Sequence, residues 1–334
     1  MTRGAQIGEA AAAPQAFETR SSHPQPSGFG DRLAGSVQHR RSQIVLGLDP
    51  DPARLWPEAL ELAGGTHGGT AERAARAVAA HCRLVLDAAA EQCVAVKPQV
   101  ACFERLGAPG WAALREVMSD AAQRGLVVIA DAKRGDIDIS ARAYAQAFFG
   151  ATPTPFGDVE GLGADALTAS PLLGRDSLEP LVQGARERGG GLFVLARTSN
   201  PGAADLQDRA LAGGGMVSEA VARMISELGE AGVGEAGLSD IGAVVGATAP
   251  ARMEALRELM PHAVWLLPGI GPQGGSGRGL APAFAPGAAG GLVSASRAIV
   301  YAFERGDGNA GGSPAAEARA EAARLRELMW SLYA

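Results

Sequence analysis

Eight short apolar segments recur along the chain from residue 44 onward, and each ends in a polar or glycine-rich cluster. They are too short for helices and lack a strict alternation of apolar and polar residues. This pattern is typical of strands that are buried on both faces of a parallel sheet. The predicted strands are residues 44–49, 93–97, 126–131, 164–170, 191–198, 241–248, 264–269 and 291–297.

Segments with helical spacing lie between most of these strands. Residues 70–92 place apolar side chains near one stripe and most charged side chains on the other side. A last helix is predicted to begin at Ser313-Pro314, a cap residue followed by proline at the first helical position. Residues 274–290 hold too much glycine and proline to predict a helix. The other predicted helices are residues 111–123, 177–188, 216–230 and 251–259.

Eight strand–helix units predict an α/β fold, a single (β/α)8 barrel. A doubly wound open sheet is the alternative, because periodicity does not show whether a sheet closes. Residues 1–35 show no periodicity, and their apolar centre is too short for a signal peptide. We therefore predict a disordered or loosely attached tail over 1–35 and a barrel domain with a C-terminal helix over 36–334.

Composition excludes several classes of protein. A hydrophobic fraction of 47% excludes a disordered polyelectrolyte, and a formal net charge of −6 argues against a nucleic-acid-binding module. No segment approaches the roughly 20 apolar residues that a membrane span needs. The three cysteines, Cys82, Cys93 and Cys102, form neither a disulfide framework nor a metal-binding spacing. A reducing cytoplasm is the predicted location, and no metal site is predicted.

Lysine is very scarce in this chain. Of 30 basic residues only Lys97 and Lys133 are lysine. Arginine can replace lysine as a surface charge, but it cannot replace a compact ammonium group that must donate a proton. Both lysines lie at the predicted carboxyl end of a strand, which is where barrel enzymes carry their active sites. Their positions favour a chemical role over chance survival.

The densest group of charges is Asp131-x-Lys133-x-x-Asp136, which follows the third strand directly. If the strand extends through residue 133, Asp131 and Lys133 point to the same side. Lys97 ends the neighbouring strand, about 4.8 Å away. Such an array is costly to desolvate and adds little net stability, so a catalytic role is favoured. The alternative is an ion-pair network that ties the rim of the barrel.

These residues resemble the orotidine 5′-phosphate decarboxylase family, specifically its longer bacterial (type 2) subfamily. The resemblance implies a (β/α)8 TIM barrel of the ribulose-phosphate-binding type. The resemblance runs from about residue 47 to residue 299 and covers every predicted strand end. The segments that carry it are Val96-Lys97-Pro98-Gln99, residues 130–137, Thr198-Ser199-Asn200-Pro201-Gly202, Gly246-Ala247-Thr248 and residues 267–271.

The resemblance implies that orotidine 5′-monophosphate (OMP) loses CO2 from C6 to give UMP, without a metal or an organic cofactor. It implies that Lys133 stabilises the carbanion at C6 and then protonates it. Asp131 would lie near the departing carboxylate, and whether it stresses the substrate or orients Lys133 stays open. Lys97 would bridge the charged network and a ribose hydroxyl. Asp136 would reach into the partner's active site, which implies a homodimer.

The resemblance also implies substrate contacts for residues at other strand ends. Asp49 matches the ribose-binding aspartate, although it could instead cap a helix that begins near Pro50 or Pro52. Ser170 is the candidate for the pyrimidine edge, and a turn-forming serine before Pro171 is the alternative.

The phosphate is expected at the loops that follow the seventh and eighth strands. Gly271 belongs to a glycine-rich loop whose backbone N–H groups would face the phosphate, and Arg297 would add a bidentate contact. Residues 198–216 form a long polar loop that is expected to act as a lid. Gln207 in this loop would touch the base or the phosphate after closure.

Two other functions remain open from the residues. Another phosphosugar-barrel decarboxylase, of the 3-keto-gulonate 6-phosphate type, would use Mg²⁺ and an extra carboxylate near the end of the second strand. The chain has Lys97-Pro98-Gln99 there instead. A non-catalytic phosphate-binding barrel would have no reason to assemble the costly array of Lys97, Asp131, Lys133 and Asp136.

Overall fold

The computed structural model describes residues 28–64, 67–247, 250–268, 277–305 and 312–333. Its strands are β1 (Ile44–Leu48), β2 (Ala95–Pro98), β3 (Val127–Arg134), β4 (Ala151–Thr152), β5 (Val159–Glu160), β6 (Ala166–Ala169), β7 (Gly191–Arg197), β8 (Ile241–Val245), β9 (Trp265–Leu267) and β10 (Gly291–Ala295).

The helices alternate with these strands. They are α1 (Phe29–Arg40), α2 (Pro57–Leu62), α3 (Thr70–Ala89), α4 (Val100–Glu104), α5 (Ala108–Gln123), α6 (Asp138–Phe148), α7 (Arg175–Glu187), α8 (Ala203–Leu206), α9 (Val217–Gly229), α10 (Pro250–Leu259), α11 (Arg297–Val300) and α12 (Pro314–Tyr333). Among the described residues, no helix is both long enough and apolar enough to cross a membrane.

Eight parallel strands close into a barrel in the order β1, β10, β9, β8, β7, β6, β3, β2. The predicted barrel is therefore confirmed, and the open doubly wound sheet is excluded because β1 pairs with both β2 and β10. All eight barrel strands fall within or overlap the predicted ones. Strands β4 and β5 form a separate antiparallel hairpin between α6 and β6.

The predicted tail boundary at residue 35 is wrong, because helix α1 begins at Phe29. Phe29, Leu33 and Val37 recur every four residues, and all three are buried against a cluster that includes Val45 and Phe193 of the barrel strands. Glycine and polar residues surround these three apolar positions, so the composition of this segment does not reveal the helix. Residues 1–27 lie outside the described part of the chain.

Most predicted helices keep their positions, with ends shifted by a few residues. Helix α3 begins at Thr70 as predicted and gives way to a 3-10 turn at Ala90–Gln92. Helix α12 starts at Pro314, where the Ser313 hydroxyl accepts the N–H of Ala316 at 3.3 Å. Within residues 277–290, the described part of the glycine- and proline-rich stretch, no segment is α-helical. This part forms the 3-10 helices Gly277–Phe284 and Ala288–Gly290.

A buried arginine holds the segment between β9 and β10. The guanidinium of Arg257 lies 4.1 Å from the ring centre of Trp265 in β9. It donates only to backbone carbonyls, so it satisfies groups that would otherwise be buried without partners. These acceptors belong to Met260, Ala263, Pro282, Ala283 and Gly290.

A buried histidine supports the start of α2. The Nδ1 atom of His81 accepts the backbone N–H of Trp56 at 3.1 Å, and the Trp56 indole donates to the carbonyl of Val300 at 3.0 Å. Burial lowers the pKa of His81 to about 4. The folded protein therefore holds a neutral imidazole at this position under conditions where an unfolded chain would protonate it.

We expect acid to weaken the fold through His81. Since its folded pKa lies below the unfolded value, the stabilisation is present above pH 6.5 and is lost as the pH falls toward 4. Between pH 7 and pH 5 the wild type should lose roughly 2 kcal/mol of unfolding free energy through this group. His81→Asn keeps an acceptor but cannot titrate, and should lose that component in urea unfolding. His39→Asn, at an exposed histidine, is the control. Equal pH slopes for wild type and His81→Asn would contradict the assignment.

Candidate active site

A single buried carboxylate organises the carboxyl end of the barrel. Asp131, near the end of β3, is 5% exposed. Its Oδ2 atom accepts from Lys97 Nζ at 2.5 Å and from Gln99 Nε2 at 3.1 Å. Its Oδ1 atom accepts from Lys133 Nζ at 2.6 Å and from Thr168 Oγ1 at 2.9 Å. The two lysines of the chain therefore meet on one carboxylate.

Strand pairing brings these donors together. Strand β2 lies beside β3, with Val96 paired to Val128, and a bridge joins Gln99 to Asp131 three residues further along. Strand β6 lies on the other side of β3, and there Thr168 points its hydroxyl at Asp131. Three neighbouring strands thus contribute to one charged cluster (Lys97, Gln99, Asp131, Lys133 and Thr168).

The cluster needs a local departure from strand geometry. Lys133 has φ of 49°, in the left-handed region, and the pairing of β3 with β6 shifts register between Ala130 and Arg134. A left-handed residue other than glycine costs about 1 to 2 kcal/mol. The Lys133 N–H donates to the Thr168 hydroxyl at 2.9 Å, which offsets part of that strain. Lys133 therefore reaches Asp131 through a bulge, and not through the regular alternation expected from sequence.

Electrostatics keep the cluster ionised. Burial raises the pKa of Asp131, but the charges of Lys97 and Lys133 and their hydrogen bonds outweigh it, so the pKa lies below its ordinary value. The two lysines differ in exposure, with the Lys97 side chain 9% exposed and that of Lys133 45% exposed. Lys97 is committed to the protein interior, whereas Lys133 can meet a bound molecule.

The cluster opens into a cavity of about 470 Å³. One part of its wall is apolar, formed by Val244, Leu266 and Pro268, and can pack against a planar ring. The charged side chains on the wall are Asp49, Lys97, Asp131, Lys133, Arg297 and Arg305. Among the described residues, no group of three or more His, Cys, Asp or Glu side chains is arranged to hold a metal ion.

Two residues expected to bind the substrate, Asp49 and Arg297, line this cavity. For both, the structure corrects the local secondary structure that the sequence suggested. Asp49 lies at the mouth and is exposed. The alternative cap role is wrong, because the next helix begins only at Pro57. Arg297 does not end the last strand, which stops at Ala295, but is the first residue of α11. A side chain at the start of that helix still faces the cavity.

Ser170, Gln207 and Asp136 are not on the cavity wall. The N–H of Ser170 donates to the carbonyl of Arg134 at 2.8 Å, just before a turn that starts at Pro171. The side-chain oxygen of Gln207 accepts the N–H of Thr198 at 2.7 Å, which ties the loop to the end of β7. Asp136 lies in the turn after β3, where its carboxylate accepts the N–H of Ile137 at 2.8 Å. Gly271 lies outside the described residues.

Sequence reasoning missed Thr168 as a member of the charged cluster. It lies two residues before Ser170, in a strand whose residues are otherwise alanine and leucine. A polar residue in such a buried strand is a usable signal, because its hydroxyl needs a partner. In the sequence, Gln99 stands out only as part of a motif, and no pattern singles out Arg305. Arg305 lies beyond the last strand, so strand ends give no hint of it.

Comparison with known proteins gives one consistent result. A family model described as "Orotidine 5'-phosphate decarboxylase / HUMPS family" matches residues 42–306. The orotidine 5′-phosphate decarboxylase of Rhodopirellula baltica is 41% identical over 277 residues, 83% of this chain and 89% of that protein. The one from Deinococcus radiodurans is 43% identical over 281 residues, covering 82% and 89%.

Solved structures agree with the sequence comparison. A Streptomyces avermitilis structure, provisionally assigned the same activity, aligns with a TM-score of 0.72 at 31% identity and covers 95% of this chain and 99% of that one. The OMP decarboxylase of Leishmania donovani aligns with a TM-score of 0.62 at 31% identity, covering 90% and 98%.

We expect Thr168→Val to lower the free energy of unfolding by about 1 to 2 kcal/mol, because Asp131 loses a donor and the Lys133 N–H loses its acceptor. Thr168→Ser keeps the hydroxyl and should lose much less. Urea unfolding at pH 7 measures both variants. Equal stability of Thr168→Val and wild type would show that the hydroxyl does not support the cluster.

Proposed function

Because the chain belongs to the orotidine 5′-phosphate decarboxylase / HUMPS family, we propose that the charged cluster around Asp131 is the catalytic centre of its reaction. The chain is a carboxy-lyase that converts OMP to UMP and CO2 in pyrimidine biosynthesis, as its family and its named relatives support. The observation that carries the proposed centre is the meeting of Lys97 and Lys133 on one buried carboxylate that faces a cavity. Membership of the longer bacterial subfamily stays a prediction.

Lys133 acts as the proton donor. When the bond from C6 to the carboxylate breaks, CO2 leaves and its bonding electron pair stays on C6, where delocalisation is poor. An ammonium group held nearby stabilises that charge without reorganisation. Proton transfer from Lys133 Nζ to C6 then gives UMP and a neutral amine, which regains a proton from solvent. The 45% exposure of Lys133 supports this assignment, since its ammonium can contact a ligand without leaving Asp131.

Asp131 and Lys97 prepare Lys133 for this step. Asp131 accepts from four side chains, which keeps it ionised and fixed in place. Its negative charge holds the Lys133 ammonium at the reacting carbon, and it also lies on the side from which CO2 departs. The buried ammonium group of Lys97 neutralises part of the negative charge of Asp131. This ammonium group is also proposed to contact a ribose hydroxyl.

The remaining residues are proposed to hold the substrate. Asp49 at the cavity mouth accepts from the ribose hydroxyls, and Arg297 binds the 5′-phosphate together with the loop that contains Gly271. Ser170 is proposed for the pyrimidine edge and needs a change of the loop after β6 to reach it. Gln207 must release Thr198 before it can contact the base or phosphate, as expected of a lid that closes on the substrate.

We expect purified protein to decarboxylate OMP in the presence of EDTA, measured as the fall in ultraviolet absorbance as OMP becomes UMP. Lys133→Ala should lower kcat by at least about a thousandfold and leave a folded protein, because the donor and the main stabilising charge are both lost. Arg188→Ala, an exposed cation at the end of α7, is the matched control.

Near-normal turnover by Lys133→Ala would remove Lys133 from the mechanism. Activity that requires added Mg²⁺ and vanishes with EDTA would favour a metal-dependent phosphosugar decarboxylase instead. A wild-type protein that binds UMP and does not react with OMP would favour a non-catalytic phosphate-binding barrel.

A homodimer with a shared active site is proposed as the working form. The segments that follow β3, β6 and β7, three strands that are neighbours in the barrel, expose large apolar side chains at one end of the molecule. Asp136 lies among them, half-buried, and can extend toward a second copy of the chain. The exposed side chains are Ile137 (49%), Ile139 (75%), Leu172 (73%), Leu173 (52%) and Leu206 (50%).

We expect subunit mixing to test this shared site. Lys133→Ala and Asp136→Ala homodimers should each be nearly inactive. The heterodimer should recover up to about half of the activity of a wild-type dimer, because one of its two composite sites is intact. Differently tagged subunits and a two-step purification provide verified heterodimers for the absorbance assay. Verified heterodimers without recovered activity would contradict a contribution from the partner's carboxylate.

The cytoplasm is the proposed site of action. All three cysteines lie in the described part of the chain and are free, and Cys82 and Cys93 are buried. Burial raises the pKa of Cys93 to about 12, so its thiol stays protonated and unreactive. Free thiols without a disulfide suit a reducing compartment.

A further inference from the structure

The cavity wall carries two guanidinium groups, only one of which was expected. Arg297 begins α11, directly after the last strand. Arg305 ends the 3-10 helix Ala302–Arg305, which follows α11, and lines the same cavity. No carboxylate on the described part of the chain lies within ion-pair distance of Arg297. The only one near Arg305 is Glu321, which lies outside the cavity wall.

Arg305 is oriented by a backbone carbonyl and by a carboxylate that it shares with Arg324. Its Nη2 atom donates to the carbonyl of Ala298 and lies 3.4 Å from Oε1 of Glu321 in α12. Glu321 is already engaged by Arg324, at 2.8 and 2.9 Å. Ala298 is the residue after Arg297. The hydrogen bond to its carbonyl therefore places the Arg305 guanidinium beside the backbone that carries Arg297. The Arg305 side chain keeps 38% of its surface exposed, so its remaining N–H groups can meet a ligand.

The charges of the cavity favour an anion with more than one negative charge. Four of its six ionisable wall residues are cationic, and two, Asp49 and Asp131, are carboxylates. Lys97 and Lys133 pair with Asp131, and among the described residues Asp49 forms no ion pair with Arg297 or Arg305, so neither arginine is paired with a carboxylate of the wall. A phosphate monoester carries between −1.5 and −2 charges near pH 7 and accepts bidentate pairs from guanidinium groups.

We propose that Arg305 is a second phosphate-binding residue, which acts with Arg297 on the 5′-phosphate of the nucleotide. This inference rests on the proposed function, because it takes the ligand to be OMP. Glu321 is a positioning residue for Arg305, so the C-terminal helix α12 supports the phosphate site. Arg305 contributes to binding in the ground state and the transition state alike, and therefore changes KM and not kcat.

The test compares Arg305→Gln with wild type on substrates with and without the phosphate. We expect KM for OMP and the inhibition constant of UMP to rise about tenfold or more, with kcat for OMP within about twofold of wild type. The value of kcat/KM for orotidine, which has no phosphate, should not change. Arg54→Gln is the matched control, since Arg54 pairs with Glu304 beside Arg305 and does not line the cavity.

Each outcome decides the proposal. Unchanged KM for OMP in Arg305→Gln overturns it, and so does an equal loss of kcat/KM for OMP and orotidine, which would show a structural role. If Arg305→Gln does not fold, Arg305→Lys replaces it. Arg305→Lys keeps the positive charge but lacks the planar guanidinium group, and a wild-type KM for OMP in this variant also overturns the proposal. Loss of UMP affinity in calorimetry, with a wild type that does not decarboxylate OMP, would sustain this inference and refute the proposed function.

Discussion

The burial of one carboxylate between two ammonium groups is the constraint on which the rest of the site depends. Asp131 cannot stay ionised in the barrel without partners, and it has four donors from three neighbouring strands. Those donors are brought together only because β2, β3 and β6 are adjacent in a closed barrel. Desolvation of these charges is costly, so the cluster adds little net stability to the fold. A role in the proposed reaction is the better explanation for its presence.

The same residue type performs two different tasks in this cluster because burial differs. Lys97 is almost fully enclosed and acts as a fixed charge, whereas Lys133 is nearly half exposed and faces the cavity. The left-handed backbone at Lys133 and the hydroxyl of Thr168 create that difference. Backbone strain is thus retained where the proposed reaction needs an accessible ammonium group next to a buried carboxylate.

Elements distant from the cluster shape the other side of the cavity. Arg257 ties the segment before β10 to α10 through carbonyl groups, and the indole of Trp56 holds the end of α11 through Val300. Arg297 and Arg305 are carried by the chain that continues from β10 and α11. The barrel therefore provides a rigid frame in which the guanidinium groups proposed to bind the phosphate and the ammonium group proposed to act on the reacting carbon face one cavity.

The sequence by itself determined the eight strands, most helices and the strand-end positions of the two lysines, because apolar periodicity and the scarcity of a residue type can be read from one chain without its tertiary structure. It did not reveal α1, whose buried stripe is diluted by glycine and polar residues, or the place of Arg297 on a helix. Only the tertiary structure decided that Thr168 and Gln99 bind Asp131, that Lys133 reaches it through a bulge, and that Arg305 shares the cavity. Those contacts join residues far apart in the chain, and barrel closure and strand register set them, whereas periodicity is the same in an open sheet and in a closed one.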